Sequence, residues 1–397
     1  MFKRVRDILM GAFIGGFVVT AIMTAGASDY AGELSKLLPF TQHNLMTMSQ
    51  VRNYLETFFV DEENLPNEQK LFYGSLKGMI SAIEDPYTRF VDPEQRDEEE
   101  MEMEGEYGGL GMYIGSRDGK ILVISPIEDT PADRVGVKPL DEIVKIDEEV
   151  VIGMDQNDVV KILRGLPNTS VTVWMRRGGE DELKSFEMVR EIINIKTVRS
   201  QMMDKIAYIK LNNFHLKSAL ELNNAIFNAS ESGAEGIILD MRNNPGGLLN
   251  VAVDVASLFV DGGLVVSLRS RVSRFDEELY AARGKATELP LVVLINEGSA
   301  SASEIVAGAV QDLKRAPLVG AKSYGKGSVQ SLFPLPDKAG MYISVARYMT
   351  PSGRIIDHKG LVPDYVVEGE FTQVTSEDKQ LQKALGVMKN VLLAPKE

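Results

Sequence analysis

Between residues 206 and 347, short runs of apolar β-forming residues alternate with stretches of helical periodicity. This order constrains the fold more than any other feature of the chain. Strands are expected over 206–211, 236–240, 264–268, 291–295, around 318–319 and over 341–347. Helices are expected over 218–232, 247–259 and 301–313. Leu291-Val292-Val293-Leu294-Ile295 has no polar face, so it reads as a strand buried on both sides. Such alternation implies α/β layers, and the fold class expected is mixed α/β.

The flanking segments differ. Over 44–91 the apolar residues recur at three and four, as in Leu45, Met48, Val51, Leu55 and Phe58 and then in Leu71, Leu76, Met79, Ile80 and Ile83. That pattern predicts a small packed helical unit, stopped by the turn Asp85-Pro86-Tyr87-Thr88. Residues 94–106 hold eight acids and one Arg, half the net charge of −14, and read as a solvated linker or exposed helix. Residues 107–189 begin with the glycine turn Gly108-Gly109-Leu110-Gly111 and continue as strands near 112–114, 120–125 and 140–146. A short helix follows Thr130-Pro131, with Thr130 suited to cap it and Pro131 to its first turn. A helix over 154–164 and a period-two strand over 171–176 complete the order. This unit of about 80 residues resembles a PDZ domain. The resemblance makes Gly108, Gly109, Leu110 and Gly111 the loop whose N–H groups capture a peptide's C-terminal carboxylate.

Composition narrows the chemistry. The 397 residues include no Cys and three His, at 43, 215 and 358. Disulfides, thiolate nucleophiles and Cys-based zinc sites are excluded, and a catalytic base is expected to be something other than His. An acidic balance argues against nucleic-acid binding.

Three turns carry candidate chemistry. After the buried strand, Gly298-Ser299-Ala300-Ser301-Ala302-Ser303-Glu304 leads into a helix. Serines there meet free N–H groups and a helix dipole that favour a developing oxyanion. The turn lacks Gly-x-Ser-x-Gly, and the same serines suit helix caps, so the local pattern leaves both roles open. Tyr324-Gly325-Lys326-Gly327-Ser328-Val329-Gln330 places a lysine between two glycines. Desolvation there would lower its pKa and let it act as a base. A phosphate-binding loop does not fit, because Lys326 is followed by glycine. Asp240-Met241-Arg242-Asn243-Asn244-Pro245-Gly246-Gly247 is either an oxyanion-binding turn or a plain strand-to-helix turn.

Together with Asp85-Pro86-Tyr87-Thr88 and Tyr348-Met349-Thr350-Pro351-Ser352-Gly353, these motifs resemble those of the carboxyl-terminal processing peptidases, or tail-specific proteases. The match runs from about residue 45 to 369. It implies a serine endopeptidase with an inserted PDZ domain and no metal or other cofactor. Ser301 would be the nucleophile, Lys326 the general base and Gln330 a supporting amide, with an oxyanion hole from Gly247 and Ala302. Asp312 matches an acidic position linked to activity in part of the family. The implied organisation is a signal peptide or membrane anchor over 1–28, a helical region over 29–96, the PDZ domain over 97–189, the catalytic domain over 190–369 and a helical tail over 370–397. Leu140-Asp141 departs from the Gly-Asp usual in PDZ domains. Two rivals are a catalytically silent PDZ adaptor in the cell envelope and an esterase whose base is His215.

Residues 2–7 carry three basic side chains, and residues 8–28 carry no charge. The uncharged run can just span a bilayer, and Ala25-Gly26-Ala27 suits signal-peptidase cleavage. The positive flank stays cytoplasmic and sends the rest outward. The body is therefore expected in a bacterial periplasm, exported and either free or anchored in the inner membrane. Expected partners are protein or peptide substrates bound through their C-termini, an adaptor or activating partner, and further copies of the chain. No nucleic acid is expected.

Overall fold

The computed structural model describes residues 42–393, except 118, 128, 179–181, 195 and 370–375. The leader read in residues 1–28 lies outside the described residues. Among these, no helix is long and apolar enough to cross a membrane. The chain divides into two compact units, Met1–Ser75 and Leu76–Glu397.

The first unit holds α1 (Gln42–Phe58) and the start of α2 (Glu68–Ser81). Arg52 bonds Glu56 one turn on and Glu68 of α2, both at 2.7 Å. The predicted helices form, but Leu45, Met48, Val51 and Phe58 are exposed. Among the described residues, these side chains therefore lack the apolar cover that a packed helical unit would give them.

In the second unit, β1 (Arg89–Val91) follows the Asp85 turn, and the acidic run forms α3 (Pro93–Met103). The next segment runs β2 (Glu106–Gly109), β3 (Met112–Arg117), β4 (Lys120–Pro126), α4 (Pro131–Arg134), β5 (Glu142–Ile146), β6 (Glu149–Val150), α5 (Gln156–Leu163), β7 (Ser170–Arg176), β8 (Leu183–Val189) and β9 (Glu191–Asn194). Its sheet has the order β3-β4-β5-β7-β8, and β2 pairs with β9 where the chain enters and leaves. Alternate residues of β7 (Val171, Val173 and Met175) are buried in its core. Thr130 stands at the start of α4 but makes no side-chain cap bond. Its hydroxyl instead closes the glycine loop, donating to Gly111 O at 2.9 Å. Leu140 adopts φ +69° and is exposed, so leucine occupies a left-handed turn position that favours glycine.

The remainder runs β10 (Val198–Met203), β11 (Ile206–Leu211), α6 (Ser218–Glu231), β12 (Gly236–Asp240), α7 (Leu249–Ser257), β13 (Leu264–Ser270), β14 (Glu277–Tyr280), β15 (Leu291–Ile295), α8 (Ala302–Asp312), β16 (Leu318–Gly320), β17 (Ser328–Pro334), β18 (Gly340–Met349), β19 (Tyr365–Val366) and α9 (Lys379–Leu393). The central sheet has the order β10-β11-β12-β15-β16-β19, parallel from β11 to β19. Strand alternation sorts its side chains between two helical layers. Ile237, Leu239, Val293 and Ile295 join the core with α6, α7 and α8, while Ile238, Val292 and Leu294 meet Leu381, Ala384 and Met388 of α9. The apolar face of the C-terminal helix is thus covered by the sheet. A second, antiparallel sheet joins β1, β18, β13 and β14, with β17 on β18. The mixed α/β architecture agrees with the reading from sequence.

Candidate active site

The two turns that leave the carboxyl ends of the adjacent parallel strands β12 and β15 lie together, as expected for ligand sites in α/β sheets. After β15, Ser299 and Ser303 are fully buried and donate to Met241 O and Asn244 O, at 2.8 and 2.9 Å. These two serines therefore hold the turn. Ser301 differs. Its backbone has φ 55° and ψ −116°, strained for a residue with a Cβ, and its hydroxyl donates to no group among the described residues. Ser301 is also the N-cap residue of α8, with the Glu304 side chain accepting from its backbone N–H, so the two roles left open by the local sequence meet at one serine.

The β12 turn is zipped to this one. Asn243 N donates to Asn296 Oδ1 at 2.7 Å, and Asn296 Nδ2 returns a bond to Asn243 Oδ1 at 2.8 Å. Ala300 N donates to Asn244 O, and Phe214 accepts from Leu248 N while donating to Gly246 O. A Cβ on Gly246 would lie 2.8 Å from Ala300 O and from Ser301 Cβ, so only glycine permits this approach. The N–H groups of Gly247 and Ala302 have no acceptor among the described residues. Ala302 opens α8, where such donors are unsatisfied by construction.

Below that turn lies a buried ionic centre. Asp240 accepts two bonds from Arg242 Nε, each 3.1 Å, and one from Arg242 Nη2 at 2.6 Å. Arg242 reaches Asp378 and Gln380, at the start of α9, at 2.9 and 3.1 Å. Tyr208 and Lys210 also bond Asp240, at 2.7 and 3.2 Å. Burial alone would raise the Asp240 carboxyl, but Arg242 and Lys210 hold it below the ordinary range.

The lysine loop joins the Ser301 turn through Glu304 of α8, which is fully buried. Its Oε2 accepts from Ser301 N and Lys326 N, at 2.9 and 3.0 Å, and its Oε1 from Ser323 Oγ and Gly325 N, at 2.6 and 2.8 Å. Burial pushes this carboxyl up, against the hydrogen bonds that favour its anion. The Tyr348 hydroxyl also spans the two segments, donating to Ser301 O at 3.3 Å and to Lys326 O. Gly325 and Gly327 let the loop lie against the backbone of residues 357–360. Burial, and then the Arg89 guanidinium, pull the Lys326 ammonium below its ordinary value, opposed by Asp85. Its Nζ rests 4.4 Å from the ring centroid of Tyr87 and makes no hydrogen bond to Ser301 among the described residues.

The other residues chosen from sequence are more scattered. Gln330 Nε2 bonds Ser328 Oγ and Ser344 Oγ, at 2.9 and 3.2 Å, rather than Lys326. Asp312 ends α8, about 16 Å along the axis from Ser301. Its carboxylate accepts from Ser352 N and Oγ and from Arg354. His215 packs at the root of the inserted domain, with Nδ1 3.2 Å from where a Cβ on Gly105 would stand. Among the described residues no group of three or more acids and histidines could hold a metal ion. In the inserted domain, Gly109, Leu110 and Gly111 line a cavity of about 240 Å³ between β3 and α5, with Met112, Ile114, Val160 and Leu163, while Gly108 does not line it. Sequence reasoning missed Glu304, Tyr348, Tyr87 and the partner of Arg242. Only Glu304 had a local signal, since Ser301-x-x-Glu304 is a capping-box pattern.

An α/β core with an inserted domain, and a strained serine on a turn whose N–H donors have no acceptor among the described residues, has the form of an acyl-transfer site. The Peptidase family S41 profile matches residues 205–367 and the PDZ domain profile residues 108–187. The carboxy-terminal-processing protease of Bartonella bacilliformis is 40% identical over 377 residues, 93% of this chain and 83% of that protein. The carboxyl-terminal-processing protease of Synechocystis is 34% identical, covering 91% of each chain. Among solved structures, the photosystem II D1 C-terminal processing protease matches with a TM-score of 0.50 and 26% identity, over 87% of this chain and 98% of that one. The chain belongs to the carboxyl-terminal processing proteases of peptidase family S41 and is a serine-type peptidase.

Proposed function

We propose that this peptidase cleaves protein substrates near their C-termini with Ser301 as nucleophile and Lys326 as general base. The observation that carries the assignment is the Glu304 strap, which ties the strained Ser301 and the Lys326 loop into one unit. Neutral Lys326 turns to Ser301 Oγ and takes its proton as the oxygen attacks the scissile carbonyl. The N–H groups of Gly247 and Ala302 receive the oxyanion. Lys326 then returns the proton to the leaving amine and serves again when water hydrolyses the acyl-enzyme. Activity falls as pH drops through the Lys326 pKa, because the protonated amine cannot accept. Apo hydrogen bonds of this kind often tighten only with substrate. Gln330 steadies the strand beside the lysine through Ser328 and Ser344.

The Gly108–Gly111 loop captures the substrate's C-terminal carboxylate, and the apolar cavity takes its last side chain. The domain also gates the reaction. Gly108 O accepts from Gly165 N at the end of α5, Met103 O accepts from Leu216 N, and nearby Phe214 pins Gly246. This backbone path links peptide capture to the oxyanion turn. The leader supports export to the periplasm, free or membrane-anchored, and the exposed apolar residues of α1 support self-association or adaptor docking. A fluorophosphonate probe with peptide mapping tests the nucleophile. Label on Ser301 is expected. Absence of label would favour the adaptor reading, and a label lost in His215→Ala would favour the esterase reading.

A further inference from the structure

The Asp85-Pro86-Tyr87-Thr88 turn enters the site from outside the catalytic core. We propose that Tyr87 is a positioning residue for Lys326, its ring face forming the seat on which the amine rests and from which it turns to Ser301. The proposal rests on the reading of Lys326 as general base. Nζ stands 4.4 Å from the ring centroid. A ring face attracts an ammonium through its quadrupole but offers little to a neutral amine. Loss of the proton and departure toward Ser301 are therefore coupled.

The seat is fastened on both sides. Tyr87 N donates to Asp85 Oδ1 at 3.2 Å, and Thr88 Oγ1 donates to Asp85 Oδ2 at 2.6 Å. Thr88 Oγ1 in turn accepts from Ser344 N of β18 at 3.1 Å. β1 continues the attachment, pairing Arg89 with Tyr342 and Phe90 with Met341. On the other side, the Tyr87 phenol has as a neighbour that of Tyr324, two residues before Lys326. Burial, and then the neighbouring Tyr324, push the Tyr87 phenol up to about 12, so it stays neutral wherever the lysine works. The charged and titratable groups around the amine and its seat are Asp85 and Arg89 beside Tyr87, Glu304 from α8, Tyr348 from β18, and Tyr324 and Asp357 from the loops. Burial and Arg89 disfavour the ammonium, while the ring face favours it. Tyr87 therefore helps set the pH at which the base becomes available.

The test is the pH dependence of the rate at which a fluorophosphonate labels Ser301 in the full chain, compared across Tyr87→Leu, Tyr87→Phe and Lys326→Ala. Tyr87→Leu is expected to move the acid limb to lower pH by about half a unit, the size of a partly exposed cation–π contact. Tyr87→Phe keeps the ring face and the limb. A uniform loss of rate in Tyr87→Leu with the limb unmoved, the mark of a merely structural role, overturns the proposal. Undiminished labelling of Lys326→Ala defeats the general-base reading itself, whatever Tyr87 does. Should Tyr87→Leu not fold, fluorinated phenylalanines at position 87 keep the shape and drain the ring face. The limb then moves down in step with fluorination, and indifference to fluorination overturns the proposal.

Discussion

The Gly247 turn, proposed to receive the oxyanion, and the lysine loop are held in opposite ways. The first rests on a buried ionic centre in which Arg242 joins Asp240 to Asp378, and on an asparagine pair that sews it to the nucleophile turn. The backbone of the second is fixed by Glu304 and Tyr348, but its functional side chain lies on an aromatic face without a hydrogen bond to Ser301. The difference suits the role proposed for each. N–H groups that receive developing charge gain most from being immobile, since no reorganisation is left for the moment of reaction. A group that carries a proton must move between acceptor and donor positions.

The largest way to break this contrast is Arg242→Met. It removes the cation shared by Asp240 and Asp378, leaving Asp240 only Lys210, and is expected to cost about 3–5 kcal/mol in urea unfolding. Wild-type Asp240, whose pKa is depressed, contributes stability that is fully present above about pH 4 and lost as pH falls through its lower folded value. In the variant the acids that lost Arg242 take up protons more readily, so its deficit should shrink on acidification. Gly246→Ala attacks the rigid turn without touching charge. Its Cβ would lie 2.8 Å from Ser301 Cβ and 2.9 Å from Ala302 N, and kcat/KM should fall on the order of 100-fold, the scale of losing one oxyanion donor.

Glu304→Gln sharpens the comparison on the other side. An amide has one oxygen for two pairs of donors, so one pair faces an NH2 group, and about 1–3 kcal/mol of stability should be lost. The pair left on the surviving oxygen should keep the protein folded, and labelling of Ser301 should fall more than thermal stability does. The smallest effect lies far from either turn. Leu140→Gly relieves a left-handed backbone and should stabilise the inserted domain by about 1 kcal/mol, read as a higher midpoint in denaturant.

Much of this could be read from the chain because the determinants were local. β11, β12 and β15 lie where their apolar runs put them, and the loops bearing Ser301, Lys326 and Gly247 follow from strand ends and glycines. Strands with mixed polarity were missed, as in β10, where Arg199, Ser200 and Gln201 are exposed, and β17, where every residue is only partly buried except exposed Pro334. Contacts between residues distant in sequence were missed as well. Asp378 meets Arg242 across 136 positions, and Tyr87 meets Lys326 only because β1 pairs with β18. No periodicity or spacing encodes such pairs. The helices over 42–81 show the converse, since their period was legible while what covers them was not.

The central claim is that Ser301 and Lys326 work as one dyad. It is tested most directly by cleavage of an unstructured protein such as casein by purified wild type, Ser301→Ala, Lys326→Ala and the double variant. Each single variant should lose essentially all cleavage, and the double variant should be no worse than either, because residues acting as a unit are non-additive. Full cleavage by Lys326→Ala, or multiplicative losses in the double variant, would contradict the dyad.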